Sequence, residues 1–379
     1  MDLLSNINKT IDQRLNHDTP LFKVIVTSNN GTNDITQILS ERLISLSLTD
    51  NRGFEADMLE LTLSDHDNQL AFPSRGAIIK LELGWKTTGL VEKGEYKVDE
   101  LEYSGAPDAL TIRARSADLF GSLTTKQERS FHQIKIADLI KQLAEENKLK
   151  PLVDKNLGSQ QIEHLDQQNE STINLLSRLA QDYDAISTVK NGCLMFIKAG
   201  EMKTASGKPL PEVEISRAVG DSFRFSLAES ENYKAVRAYW HNQDNGKKGE
   251  VIIDENSKIE RKNKIKKDGE ESKQKHNNLI QTKRVTTDTN QIKTLSHVFK
   301  YRAKAITAAK AAFDKLKRGV ATFSLTLAKG NPELIPELPA KVTGFKTEID
   351  DTKWIITKVT HSLSESGYSC GVEFELRGL

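Results

Sequence analysis

The eight histidines of this chain, from His17 to His361, are scattered, and none falls in an HExxH or other paired-ligand spacing that would hold a catalytic metal. The two cysteines, Cys193 and Cys370, stand in no metal or redox spacing, and a disulfide between them is disfavoured. No Walker loop, GxGxxG or GxSxG occurs, which removes the usual readings for bound phosphate, a dinucleotide or a serine nucleophile. Carboxylates cluster at Asp65-His66-Asp67 and Asp350-Asp351, in segments that read as turns between strands, where short acidic side chains are turn formers. Two carboxylates from distant loops could still meet as they do in a glycosidase, and spacing along the chain does not decide that. The expectation is a protein that is not an enzyme, with no cofactor and no metal, whose work is done by surfaces.

Those surfaces must be positioned by β-structure, because a β-unit is written twice. The first copy runs from Phe72-Pro-Ser-Arg-Gly through AIIKLELGW to GEYKVDELEYSGAPDALTIRARSADL, and the second from Leu338-Pro-Ala-Lys-Val-Thr-Gly-Phe345 to TKWIITKVTHSLSESGYSCGVEFELRG. Each has a proline before a strand, a Gly-aromatic stop, an aromatic-led strand (Tyr96, Trp354), a glycine turn (Gly105, Gly367) and a long alternating strand. LFKVIVT, ERLISLSLTD and DMLELTLSD precede the first copy, giving about six strands in a hundred residues, the density of a barrel or sandwich. Trp85, Trp240 and Trp354 each open or close a strand and read as core anchors.

At 379 residues the chain is too long for one compact core, and two to four domains are expected. The boundaries read as an N-terminal helical arm at 1–20, a first β-barrel at 21–122, a small α/β module at 123–205 and a second β-barrel at 206–379. In the module, Ile136, Leu139, Ile140, Leu143 and Ala144 mark one helical face; a second helix at 171–183 sits behind Ser171 as a cap; Asn191-Gly192 signals a hairpin. The second barrel carries a charged excursion at 241–293, with 13 Lys or Arg against 9 Asp or Glu, read as a mobile or hairpin-like segment. A helix is predicted over 294–318, with Val298, Tyr301, Ala305, Ala308, Ala309, Ala312, Phe313 and Leu316 on one side. The fold class is thus α+β, mainly β: two tube-like β-barrel domains with an intervening α/β module and an inserted helix.

Charge balance argues against a general nucleic-acid-binding surface, since 54 Lys and Arg face 53 Asp and Glu. No apolar run approaches a membrane span, and the start MDLLSNINKTIDQRLNHD lacks the basic and apolar blocks of a secretion signal, so export by that route is not expected.

Four blocks carry a family likeness: RLISLSLTDNRGFEADMLELTLSDHDNQLAFPSRGAIIKLELGW, then ALTIRARSADL with LTTKQERSFH, then EHLDQQNESTINLLSRLAQDYDA, then LPAKVTGFKTEIDDTKWIITKVTHSLSESGY. In these, and in their order over nearly the whole chain, the sequence resembles the phage late control gene D family, the baseplate hub proteins of contractile tails. The resemblance implies a homotrimer related to myovirus hubs and to the amino-terminal region of type VI secretion spike proteins (VgrG). Each subunit would give two tube-like barrels, so that three chains form a pseudo-sixfold ring between a six-fold tail tube and a trimeric spike. It implies assembly in the host bacterial cytoplasm and residence in the tail baseplate or a phage-tail-like particle such as a tailocin. The partners would be spike, tail tube and baseplate proteins, with transient contact to DNA or a tape-measure protein in the lumen.

On that reading the strands Met58 to Leu63, Leu110 to Ala114 and Val372 to Leu376 are the candidate ring-forming elements. The candidate interface residues are Met58, Glu60, Leu61, Leu63, Thr111, Arg113, Arg115, Glu373 and Glu375, whose polar members either face a lumen, pair between subunits or are ordinary solvent-facing alternation. A second reading, a peptidoglycan-binding or cleaving tail component, starts from SFHQIKIADLIKQLAEENKLK, which loosely resembles LysM-like modules. A third, regulation of late transcription, has neither a helix-turn-helix pattern nor a basic face behind it.

Overall fold

A computed structural model of the chain describes residues 18–28, 31–74, 76–116, 122–190, 192–200, 208–227, 233–242, 245–265, 271–281, 291–319 and 321–377. All but the last three residues of the predicted N-terminal arm lie outside them. The alternating segments of the first third become β1 (Pro20–Ser28), β2 (Gly31–Asp34), β3 (Leu43–Asn51), β4 (Met58–Ser64), β5 (Ile78–Trp85), β6 (Gly89–Ser104) and β7 (Ala109–Ser116), with a short helix α1 (Thr36–Arg42) before β3. Next come β8 (Lys126–Lys135), α2 (Ile136–Glu146), β9 (Lys150–Val153), α3 (Lys155–Gly158), β10 (Gln161–Ser171), α4 (Thr172–Tyr183), β11 (Ala185–Lys190) and β12 (Cys193–Lys198). The remainder is β13 (Val213–Ser216), β14 (Gly220–Leu227), β15 (Ala235–His241), β16 (Lys248–Asp254), β17 (Ser257–Ile265), β18 (Glu271–Gln281), β19 (Ile292–Phe299), α5 (Arg302–Gly319), β20 (Ala321–Leu327), β21 (Pro339–Thr343), α6 (Thr347–Asp350), β22 (Trp354–Ser364) and β23 (Gly367–Leu376).

The doubled β-unit is real in three dimensions and larger than its sequence trace. The first unit has the neighbour order β3-β4-β7-β6-β5-β1, and the second repeats it as β14-β20-β23-β22-β21-β13. Irregularities repeat too: a bulge in β6 between Val98 and Glu100 is matched by one in β22 between Ile356 and Lys358. Another between Leu43 and Ser45 in β3 is matched by one between Gly220 and Phe223 in β14. A bulge turns the strand and raises its twist, so matched bulges give both units the same curvature. The copies differ at their last strand, since β1 joins β5 antiparallel whereas β13 joins β21 parallel.

The two units are fused rather than separate. Strand β22 pairs through Trp354 and Ile355 with β21, and then through Lys358–Ser364 with β3 of the first unit. One 13-stranded sheet results, and among the described residues neither unit closes into a barrel on itself. Its single apolar core runs from Val24 through Leu46, Leu61, Ile79 and Tyr96 to Phe323, Trp354 and Phe374. Each such large side chain, fully buried, contributes roughly 1.5–3 kcal/mol.

The middle module has its own core, built from the predicted face Ile136, Leu139, Ile140, Leu143 and Ala144 together with Leu175, Leu176, Leu179 and Phe196. Ser171 caps α4 by accepting the Asn174 N–H at 3.2 Å, and the predicted hairpin joins β11 to β12 through Lys190 opposite Cys193. Cys193 and Cys370 are not joined in a disulfide.

A third core gathers Val236, Ala238, Val251 and Ile253 against Ala305, Ile306, Ala309 and Phe313 of α5. Here the structure corrects the sequence reading. The helix predicted over 294–318 begins at Arg302, because residues 292–299 are strand β19, paired in parallel with β15. Val298, placed on the helical face by its spacing, is 54% exposed. Within the charged excursion, β17 and β18 form an antiparallel hairpin.

Candidate assembly surface

Strict alternation along β4 and β7 sends Leu59, Leu61, Leu63, Leu110, Ile112 and Ala114 to the core and the polar residues between them to the opposite face. There the cross-strand partners Glu60 and Arg113 meet, with Arg113 Nε donating to Glu60 Oε2 at 2.7 Å. The same guanidinium lies 2.9 Å from Glu100 and 3.0 Å from Glu102, and hydrogen bonds to Glu60 and then Glu102 hold it more firmly protonated than usual. Arg115 pairs with Asp99 at 3.0 Å, and on the second unit Lys358 approaches Glu373 at 3.9 Å. Pairs this exposed contribute little stability, so the acidic and basic mosaic is better read as a surface property than as a brace.

The nine residues singled out by sequence divide into three kinds. Leu61 and Leu63 are core. Met58, Glu60, Thr111, Arg113, Arg115 and Glu373 lie on or beside the polar face, where Thr111 sits 3.4 Å from Thr62 across the pair. Glu375 is taken into an internal ion cluster with Arg52 and Arg318. All three strands carrying them have both backbone edges filled inside the chain: β4 by β3 and β7, β7 by β4 and β6, β23 by β20 and β22. What they can offer a neighbour is a side-chain face.

Open edges lie elsewhere, in segments the sequence reading did not single out. Among the described residues, β6 beyond Val98 pairs only with β7, and β14 pairs only with β20. Exposed apolar groups accompany both: Tyr103 with Phe72 beside it at a ring separation of 5.8 Å on one, Phe223 and Leu227 on the other. Three apolar residues at every second position in FRFSL are the signal that could have marked β14 as a strand awaiting a partner on that face.

Buried charges tie the three cores together. Asp184, at the left-handed end of α4, receives Arg318 Nη1 at 2.9 Å and Lys198 Nζ at 2.7 Å, while Arg318 also reaches Glu375 at 3.5 Å. Burial pushes the Asp184 carboxyl up, but Arg318 and Lys198 outweigh it and leave its pKa below the ordinary value. Arg52 bridges Glu337 and Glu375. Beside them a cleft of about 900 Å³ is lined by Asp50, Asp57, Lys93, Lys190 and Glu337.

Two carboxyls of that cleft are raised by burial, Glu337 and Asp57; for Asp57, burial, opposed by Lys190 at 3.4 Å and reinforced by Asp50, raises the pKa to about 6. Its ordinary value is about 4, so the folded protein holds this proton more tightly than the unfolded chain and loses stability as pH rises from about 4 to about 6. Asp57→Asn should flatten that slope, read as denaturation midpoints of both proteins across the window; an unchanged slope would assign the titration to another group.

Among the described residues no group of three or more His, Cys, Asp or Glu is placed to hold a metal, and no helix is long and apolar enough to cross a membrane. Cys370 lies 3.0 Å from His361 Nδ1, but burial raises the thiol to about 11 and pushes the imidazole well below its usual value, so both are neutral. They form a buried polar contact with no reactive thiolate.

A profile of the family described as "Phage tail baseplate hub (GPD)" matches residues 57–367. The chain is 41% identical over 374 residues to a "Probable baseplate hub protein" of Escherichia phage 186, covering 94% of this chain and 93% of the relative. It is 40% identical over 366 residues to the protein of the same description from Escherichia phage P2, covering 95% and 94%. Among solved structures, the 43 kDa tail protein of prophage MuSo2 from Shewanella oneidensis superposes with a TM-score of 0.61 at 12% identity, over 93% of this chain and 98% of that one, a likeness of fold.

Proposed function

The chain belongs to the phage tail baseplate hub (GPD) family, a structural component of the tail baseplate, and from that premise we propose that three copies form a ring joining a six-fold tail tube to a trimeric spike. The observation that carries this reading is the duplicated six-strand unit with its matched bulges. A chain with two equivalent tube segments presents, in three copies, six similar surfaces to a six-fold partner, while its unequal additions preserve a three-fold face for the spike. Each unit is then one segment of a shared barrel, which accounts for strands that do not close within one chain. The face bearing Glu60, Arg113 and Glu373 lines the lumen, where mixed charge lets DNA or a tape-measure protein pass without adhering. The protein acts by adapting symmetry and carries out no covalent chemistry.

Light scattering tests this directly. A mass of three chains, alone or after mixing with the trimeric spike protein of the same particle, is the expected result. A monomer that ignores the spike at every concentration would overturn it.

A further inference from the structure

The chain contains a worked example of how its two kinds of unit edge fit together. In the second unit, β22 runs past its short partner β21 and offers the edge from Lys358 to Ser364, which β3 of the first unit fills in antiparallel register, with Thr360 opposite Thr49 and His361 opposite Leu48. The strand equivalent to β22 is β6, and the strand equivalent to β3 is β14. Aligning the bulges makes the equivalence residue by residue. Glu100, Leu101, Glu102 and Tyr103 match Lys358, Val359, Thr360 and His361; Phe223, Arg224, Phe225, Ser226 and Leu227 match Leu46, Ser47, Leu48, Thr49 and Asp50. Both of these equivalent edges, β6 beyond Val98 and β14, pair with no further described strand.

We propose that β6 of one copy pairs antiparallel with β14 of the next copy in the register of the internal β22–β3 junction, placing Leu101 opposite Leu227, Glu102 opposite Ser226, Tyr103 opposite Phe225 and Ser104 opposite Arg224. This rests on the ring reading and supplies its contact. One edge lies in the first unit and the other, β14, ends the sheet path in the second, so the contact is head-to-tail and among closed assemblies gives a ring. In a trimer, three internal and three intermolecular junctions of one kind then alternate around the tube.

Side chains agree with the register. Its apolar side brings together Leu101, Tyr103, Phe223, Phe225 and Leu227, of which Tyr103, Phe223 and Leu227 are 43%, 45% and 56% exposed in the single chain. The matching face of the internal junction holds Leu46, Leu48, Val359 and Leu363 together with Asp50 and His361, all buried. On the polar side Arg113 stands among three carboxylates, Glu60, Glu100 and Glu102, and Arg224 would arrive diagonally across from Glu102. Diagonal neighbours on paired strands lie about 7–8 Å apart, within reach of these side chains. An open edge with exposed apolar groups would otherwise invite indiscriminate pairing, and a defined partner removes that hazard.

The test is a cysteine pair, Glu102→Cys with Ser226→Cys, in a Cys193→Ser background. Mild oxidation should shift the band on non-reducing gels from one chain to a covalent three-chain species, reversed by reductant. Glu102→Cys with Ser222→Cys, displaced by about 13 Å along the strand, should stay unlinked. Co-expressing chains that each carry one of the two cysteines should give mixed dimers, while neither single variant links to itself, the signature of a head-to-tail contact. Each sample is also weighed by light scattering, alone and with the spike protein. A trimer that fails to link, or links through the displaced pair, overturns the register while leaving the ring intact. A monomer under both conditions overturns the ring as well.

Discussion

Arg318→Ala is expected to lower folding stability by about 3–5 kcal/mol, because it leaves the Asp184 carboxylate buried without its main counter-charge. The two side chains are only 6% and 5% exposed, so solvent does little to screen the loss. Arg318 closes the carboxyl end of α5, Asp184 ends α4, and Glu375 lies on β23, so one guanidinium holds the helix, the middle module and the large sheet in fixed relation. Denaturant midpoints of wild type and variant measure the effect. The pair Arg318→Met with Asp184→Asn should recover part of the loss, since it removes the orphaned charge while keeping at 184 a residue that tolerates the left-handed backbone. The pH dependence has a definite sign. The folded pKa of Asp184 lies below its unfolded value, so its contribution is fully present above about 4 and is lost as pH falls through the lower, folded value. Asp184→Asn should therefore flatten the acid limb of the stability curve. A loss in Arg318→Ala no larger than that of an exposed pair such as Lys141 and Glu145 would refute this role.

Much of the architecture was legible because two of its signals are local. Period-2 alternation marked the strands, and Pro, Gly and leading aromatics marked where each copy of the unit begins and turns, which is why Tyr96 and Trp354 could be matched before any pairing was known. What local pattern does not carry is neighbourhood. DMLELTLSD and SFRFSL alternate alike, yet β4 lies inside the sheet with two partners and β14 stands at an edge with one. The candidate interface therefore settled on interior strands. Glu60 and Arg113 meet only because β4 and β7, 53 residues apart at that pair, share a register that composition does not reveal. The early start assigned to the long helix has the same origin. Val298 and Tyr301 fall in phase with Ala305 by spacing, while the parallel partner that makes residues 292–299 a strand is β15, more than fifty residues away in the chain.

Trp354→Ala should cost about 3–5 kcal/mol, the range for deleting a large aromatic from a packed core. Trp354 is 1% exposed; its ring lies 5.5 Å from Phe323, 6.3 Å from Phe225 and 6.5 Å from Phe374, and its Nε1 donates to Ile349 O at 3.0 Å. Its place along β22 gives the substitution a second consequence. Trp354 belongs to the stretch that pairs with β21, just before the bulge after which the strand turns to β3, so the ring anchors the start of the junction between the two units. Tyr96 holds the equivalent place in β6, is 2% exposed and fixes its hydroxyl on Lys93 O at 2.7 Å. If the equivalence is mechanical as well as geometric, Trp354→Ala loosens the β22–β3 junction and Tyr96→Ala loosens the β6 segment offered to the next copy. Amide exchange separates the two. Protection should fall first over Leu46–Thr49 and Thr360–Ser362 in Trp354→Ala, and over Leu101–Ser104 in Tyr96→Ala, while Trp354→Phe, which keeps an aromatic ring in place, should lose less than half as much stability. Uniform loss of protection across the sheet in both variants would show that the aromatic positions support the core as a whole and give no junction particular support.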